Sequence, residues 1–201
     1  MEMKPQKRSA PSARRNRIAI GKALGRILPE NARVLEIASG TGEHGDWFTQ
    51  IRPDIVWQYS DIDPQALASQ TAYAQEKTAL LAPLDLDVMD ANWPEKAGPA
   101  DVIYCANMIH ISPWQAAQGL VQGAARILPQ KGMLILYGPF LRGSVSARSN
   151  LEFDAALRAR NPQWGVREFE DVTALMARSG FRLKHEMAMP RDNHLLVFGK
   201  S

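Results

Sequence analysis

The chain holds a single cysteine in 201 residues, which excludes an internal disulfide. No uninterrupted apolar run approaches the roughly 20 residues that a membrane-spanning helix needs. The basic residues at its start are not backed by an apolar segment, so no secretory signal is read there. There is no internal repeat and no low-complexity tract. Net charge is also small, with 24 Lys and Arg against 21 Asp and Glu leaving +3. Much of the positive charge lies early, at Lys4, Lys7, Arg8, Arg14, Arg15, Arg17, Lys22 and Arg26. No aromatic platform interleaves it, as single-strand nucleic-acid binders require, so a solvated arm and helix face is the reading taken. The remaining composition, 45% hydrophobic and 22% charged, is that of an ordinary globular chain. It is long enough for one well-buried domain and short for two. Residues 1–11 are expected to be a disordered arm, residues 12–201 a single domain, and the setting cytoplasmic.

The most informative stretch runs from Val34 to Gly45. Val34, Leu35 and Ile37 form a short, partly β-branched apolar run that reads as a buried strand. Gly40 and Gly42 then break regular structure, and a helical pattern begins near Glu43. A strand that turns through glycines into a helix suits a nucleotide-like ligand, because backbone can approach it closely and the helix N-terminus presents free N–H groups. Gly40-Thr-Gly42-Glu-His-Gly45 matches the dinucleotide spacing G-x-G-x-x-G. The stretch also matches acid-x-small-x-Gly-x-Gly, with Glu36, Ala38, Gly40 and Gly42, the spacing of S-adenosylmethionine (SAM) sites. An acid at the strand end suits a cationic ligand and repels a diphosphate, so Glu36 tilts the choice toward SAM. An NAD(P)-dependent oxidoreductase stays open as the alternative, as does a non-catalytic SAM-binding scaffold.

The rest of the chain alternates strand and helix. A helix over Ser12–Leu28, with Ile18, Ala23, Leu24 and Ile27 on its apolar face, precedes the first strand. Arg14, Arg15 and Arg17 near its start are surface charge or a reach toward a substrate anion. Ile55–Tyr59 is a second strand ending at Ser60-Asp61-Ile62-Asp63-Pro64. Asp61, roughly 20 residues past the glycine turn, stands where a carboxylate takes ribose hydroxyls. Asp63 reads as the cap of the next helix, with Pro64 at its first position. Leu80–Leu84 is a third strand whose Pro83 suits a sheet edge. The loop after it offers Asp87 and the backbone of Val88 to an adenine edge, with Asp85 as runner-up. Asp101–Ala106 is a fourth strand, followed by Asn107-Met108-Ile-His110. There Ser112-Pro113-Trp114-Gln115 reads as a capping box, and His110 is a candidate general base. Met133–Tyr137 is a fifth strand. Phe181–Met187, which alternates, and the apolar run Leu195–Phe198 close the chain as an antiparallel hairpin.

Taken together, Val34–Gly42, the Asp61–Pro64 tip and the Asn107–His110 loop resemble class I SAM-dependent methyltransferases. More closely, Ala38–Gly45, Asn107–Ile111, Tyr137–Phe140 and Asn150-Leu-Glu-Phe-Asp154…Arg158-Ala-Arg-Asn-Pro-Gln-Trp-Gly165 resemble the uncharacterised family that includes methyltransferase-like protein 26. The resemblance implies a Rossmann-like αβα sandwich with a seven-stranded, mostly parallel sheet of order 3-2-1-4-5-7-6 and an antiparallel last strand. It implies SAM as cofactor, with no metal. Ala38, Ser39, Gly40, Thr41 and Gly42 would hold its methionine part, Asp61 with Ile62 its ribose, and Asp87 with Val88 its adenine. Asn107 and Met108 would lie against it. Ala38 stands where the family pattern has its first glycine. The Asn-Pro-Pro-Tyr-type loop that holds amino nitrogens is absent, which points to a small-molecule acceptor rather than nucleic acid. Tyr137, Phe140, Asn150, Asp154 and Arg158 are the residues expected to frame it.

Overall fold

A computed structural model describes residues 6–200. In chain order the elements are α1 (Pro11–Ile27), β1 (Arg33–Ile37), α2 (Glu43–Ile51), β2 (Val56–Asp61), α3 (Pro64–Ala74) and β3 (Leu80–Asp85). They continue with α4 (Trp93–Ala97), β4 (Val102–Ala106), a 3-10 turn (Met108–His110), α5 (Trp114–Ile127) and β5 (Met133–Pro139). The chain closes through α6 (Arg148–Arg160), α7 (Phe169–Arg178), β6 (Phe181–Met189) and β7 (Asn193–Lys200). The strands form one seven-stranded sheet, β3-β2-β1-β4-β5-β7-β6, as the resemblance implies. The pairs among β1 to β5 are parallel, and β7 runs antiparallel to both β5 and β6.

Side-chain alternation sorts the central strands into two layers. Val34, Val102, Tyr104, Ile135 and Tyr137 pack with Phe48 and Trp57 beneath α1 and α2. Leu35, Ile37, Ile103, Cys105, Leu134 and Leu136 pack against Leu120, Val121 and Ala124 of α5 and Val172 of α7. Both faces are covered, so β1, β4 and β5 are apolar apart from the exposed Arg33 that opens β1 and the buried Glu36. β3 lies at one edge, where Pro83 costs no ladder bond. β6 lies at the other edge, where Arg182, Lys184, His185 and Glu186 are exposed and discourage further strand pairing. Among the described residues no helix is long and apolar enough to cross a membrane.

Some local expectations are corrected. Ile18, assigned to the apolar stripe of α1, is 53% exposed, while Ile20, Ala23 and Leu24 are buried. The capping box at Ser112 does not form. Pro113 occupies the cap position of α5 without a side-chain bond, and the Ser112 hydroxyl donates instead to the carbonyl of Met108 at 2.8 Å. By contrast, Asp63 caps α3 by accepting from the Gln65 N–H at 3.0 Å, with Pro64 following. Of the segment read as an arm, residues 1–5 lie outside the described residues. Residues 6–10 are coil, and the Arg8 N–H donates to the Ser69 hydroxyl at 2.8 Å.

Candidate functional site

The carboxyl ends of β1, β2 and β4, with the loop after β3, surround a cavity of about 480 Å³. The glycine turn supplies Ala38, Gly40 and Thr41; the β2 tip supplies Asp61, Ile62 and Asp63; the loop after β3 supplies Leu86, Asp87, Val88 and Met89. Met108, Ile111, Ser112 and Pro113 close it from the start of α5. One wall is therefore carboxylate and backbone, and the other is apolar. That is the division an adenosine-bearing ligand needs, since its sugar is polar and its base is flat and largely apolar.

The turn is built by three left-handed residues at alternate positions: Ala38 at φ 55°, Gly40 at φ 58° and Gly42 at φ 88°. Two are glycines and suffer no Cβ clash there. Ala38 does, at a cost of roughly 1–2 kcal/mol. Replacing Ala38 by glycine is expected to stabilise the fold by about 0.5–1 kcal/mol, because the relieved strain exceeds the added chain entropy. Thermal unfolding should show a midpoint about 1–4 °C higher; an unchanged or lower midpoint would mean that the position carries no strain. At Gly40, an added Cβ would meet nothing within 4 Å. The space in front of that backbone is open, so a ligand can lie directly against it.

Asp61 organises this turn. One carboxylate oxygen accepts from the Gly40 N–H at 2.8 Å, and the other from the N–H groups of Ile62 and Asp63 at 2.8 and 3.0 Å. A carboxylate has about four acceptor sites, so three are filled and one remains for the cavity it lines. Ser39 acts beneath it: its hydroxyl donates to the Glu36 carbonyl at 3.2 Å and accepts from the Ser60 N–H at 3.1 Å, joining the β1 and β2 ends. In the loop after β3, Asp87 accepts from the Met89 N–H at 2.8 Å and shapes the loop. The cavity takes Asp87 and leaves out Asp85. α5 lies so close to this loop that a Cβ on Gly119 would sit 2.1 Å from the Val88 carbonyl oxygen.

Several expected site residues lie elsewhere. Glu36 does not line the cavity. By alternation it projects with Val34 into the α1/α2 layer, is 1% exposed, and accepts from the Trp57 indole N–H at 2.9 Å. Its other oxygen faces the His44 ring at 3.5 Å. Gly42 and Asn107 are also outside the lining; both are left-handed caps, of α2 and of the 3-10 turn. His110 is likewise off the cavity and 1% exposed, with its ring against Phe140. Burial, with the Arg167 guanidinium nearby, pushes it down to about 3. This is a packing environment, not that of a general base poised near neutrality.

His110 thus binds fewer protons when folded than when unfolded between its ordinary 6.5 and about 3. Stability should be intact above pH 6.5 and fall as pH drops through that interval, by up to about 1.4 kcal/mol per pH unit from this group. Urea unfolding at pH 7 and pH 5 should show a smaller acid loss for His110→Asn than for the wild type; equal losses would refute it.

The five residues expected to frame an acceptor do not converge. Tyr137 is buried in the α1/α2 layer. Asn150 is 4% exposed and donates to the carbonyls of Phe140 at 3.2 Å and Asp192 at 3.0 Å, tying α6 to the end of β5 and to the hairpin turn. Asp154 accepts from the Val166 N–H at 2.8 Å and pairs with Arg158 at 2.8 Å. Arg158 edges a separate groove between α5, α6 and α7. These side chains brace the 148–168 segment. Arg167, missed in the sequence, completes the brace by donating to the carbonyls of Ile109 at 2.8 Å and Ser112 at 2.6 Å, fixing the loop that roofs the cavity. The two loop carbonyls it holds are more than fifty residues away, so no local pattern signals that role. Glu43 and Arg8 were missed for the same reason.

The sheet order, the antiparallel β7 and a cavity over the strand ends define a Rossmann-like protein of the class I methyltransferase fold. CalO1, a methyltransferase in calicheamicin biosynthesis solved in its SAH-bound form, shares that fold at TM-score 0.77 and 16% identity, over 94% of this chain and 54% of its own. An O-methyltransferase family 2 protein from Planctomyces limnophilus, complexed with apigenin, matches at TM-score 0.73 and 20% identity, over 92% of this chain and 62% of its own. Human N-acetylserotonin methyltransferase, in complex with SAM, matches at TM-score 0.73 and 13% identity, over 90% and 51%. The chain thus spans between about half and three-fifths of the length of these proteins. Within this fold, the chain belongs to the family described as "Protein of unknown function (DUF938)", whose model matches residues 7–200.

Proposed function

We propose that the protein is a SAM-dependent methyltransferase acting on a small-molecule acceptor. The observation that carries the reading is Asp61, at the β2 tip, lining the cavity with one acceptor site free while it holds the glycine turn by the Gly40 N–H. Bound there, SAM supplies an electrophilic methyl group on a sulfonium. The chain's part is to hold and align: Ala38, Gly40 and Thr41 along the methionine portion, Asp61 and Ile62 at the ribose, Asp87 and Val88 at the adenine, with Met108 packed against the cofactor. Glu36, Ser39, Gly42 and Asn107 serve by shaping the backbone beneath. Methyl transfer asks mainly for alignment of acceptor, methyl and sulfur, so a buried, uncharged His110 is no obstacle. Two of the structures sharing the fold carry SAH or SAM, and one carries apigenin, which supports cofactor and acceptor class alike. The kinship with the family that includes methyltransferase-like protein 26, and a cytoplasmic setting, belong to the same proposal.

Calorimetric titration with SAM, S-adenosylhomocysteine, NAD and NADP tests it. The two sulfur nucleosides should bind and the dinucleotides should not. Binding of NAD or NADP without S-adenosylhomocysteine would replace the proposal with the oxidoreductase reading. Incubation with methyl-labelled SAM and a metabolite extract should then transfer label to a small molecule; binding without any transfer would leave a SAM-binding scaffold.

A further inference from the structure

We infer that residues 7–10 are a closing strap of the cofactor pocket, latched by Glu43 and meeting the bound nucleoside through Arg8. This rests on the cofactor reading above and adds how the pocket is shut.

The strap is coil running into α1, and it is hydrogen-bonded to Glu43 at the start of α2 and to Ser69 of α3. Glu43 is the first residue of α2, is 4% exposed, and is the point where strap and turn meet. Its carboxylate accepts from the Ala10 N–H at 2.6 Å, the Ser9 hydroxyl at 3.0 Å, the Arg14 Nε at 3.2 Å and the Thr41 hydroxyl at 3.2 Å. Three of these donors belong to the strap and the first turn of α1, and the fourth belongs to the turn that lines the cavity. Burial alone pushes this carboxyl up, but the Ala10, Ser9, Arg14 and Thr41 donors outweigh it and leave the group below its ordinary value. The latch is therefore charged at neutral pH. Ser69 makes a second tie to the same turn, accepting from the Arg8 N–H at 2.8 Å and donating to the Thr41 carbonyl at 2.7 Å.

Arg8 carries the strap to the ligand. It lines the cavity together with Ile62, Asp63 and Ala66 of the β2 tip and α3. Its guanidinium is 3.7 Å from the Asp63 carboxylate, and both groups are about half exposed. A pair so exposed contributes little, so Arg8 is free to turn toward a ribose hydroxyl of the nucleoside. The strap is held by the Glu43 latch, the Ser69 tie, the Tyr73 hydroxyl donating to the Arg8 carbonyl at 3.4 Å and the Lys7–Glu76 ion pair, and these contacts are balanced against the entropic cost of ordering a short coil. A ligand that touches Arg8 binds the ordered form better and shifts that balance.

Amide hydrogen exchange over residues 6–14 of the full-length protein, with S-adenosylhomocysteine and with adenosine as probes, tests the strap. Either probe should slow exchange at Arg8 and Ala10 by about tenfold or more, matching one charge-assisted contact. Arg8→Ala should weaken both probes by about tenfold in calorimetry, and Glu43→Gln should speed strap exchange without ligand. Should Glu43→Gln fail to fold, Arg8→Ala still decides the matter. Binding of S-adenosylhomocysteine with no change in strap exchange, or with unaltered affinity in Arg8→Ala, overturns the strap and leaves the cofactor reading standing. A loss confined to S-adenosylhomocysteine, with adenosine unaffected, overturns the nucleoside contact. Failure of the wild type to bind S-adenosylhomocysteine at all overturns the cofactor reading and the strap together.

Discussion

Replacing Asp61 with alanine is expected to lower S-adenosylhomocysteine affinity by about a hundredfold. The figure has two sources. The free acceptor site of the carboxylate would take a ribose hydroxyl, and a hydrogen bond to a charged group contributes about 1.5–3 kcal/mol. The same carboxylate holds the Gly40 N–H and the N–H groups of Ile62 and Asp63, so its removal also frees the turn that the cofactor must lie against. About 2.7 kcal/mol in total corresponds to a hundredfold. Asp61→Asn separates the two contributions. Its single carbonyl oxygen can keep either the Gly40 bond or the Ile62 and Asp63 bonds, and its amide then points a donor at the other donors. Affinity should therefore fall nearly as far as in the alanine variant, with a smaller loss in thermal stability. Calorimetry on both variants checks this. Wild-type affinity in Asp61→Ala would remove the observation on which the proposed function stands.

The fold is legible in the sequence because its signals are local and repeated. Apolar runs at β1, β4 and β5, the glycine turn, the Asp63-Pro64 helix start and the closing hairpin each announce themselves within a few residues. The cavity lining was legible for the same reason: Ala38, Gly40, Thr41, Asp61, Ile62, Asp87, Val88 and Met108 are strand-end or loop residues whose position follows from the topology. What stayed hidden depends on long-range partners. Arg167 and Glu43 owe their roles to the loop roofing the cavity and to the N-terminal strap, respectively. The position of Asn150, Asp154 and Arg158 in the fold suggested a ligand, while their partners are backbone of the same chain and one another. Glu36 is a different kind of error. Period-two alternation already put it on the Val34 side, and the motif's association with a cationic ligand overrode that simpler argument.

Glu36 supplies the largest expected effect on stability. Its carboxylate is buried between the Trp57 indole N–H at 2.9 Å and the His44 ring at 3.5 Å. His44 in turn meets the Asn16 side chain of α1 at 2.9 Å. One largely buried polar chain thus joins β1, β2, α2 and α1. Removing one partner from such a buried group is strongly destabilising, because the others are left without the water they gave up on folding. Glu36→Ala is expected to lose about 3–5 kcal/mol in urea unfolding. Glu36→Gln keeps an acceptor for Trp57 and the same volume, and should lose less than about half of that. Since Glu36 lies on the layer away from the cavity lining, the folded fraction of either variant should bind S-adenosylhomocysteine within a few-fold of wild type. A drop of tenfold or more in Glu36→Gln, at nearly unchanged stability, would mean that the carboxylate acts on the cofactor through the floor of the turn, and the electrostatic argument from the motif would be right after all.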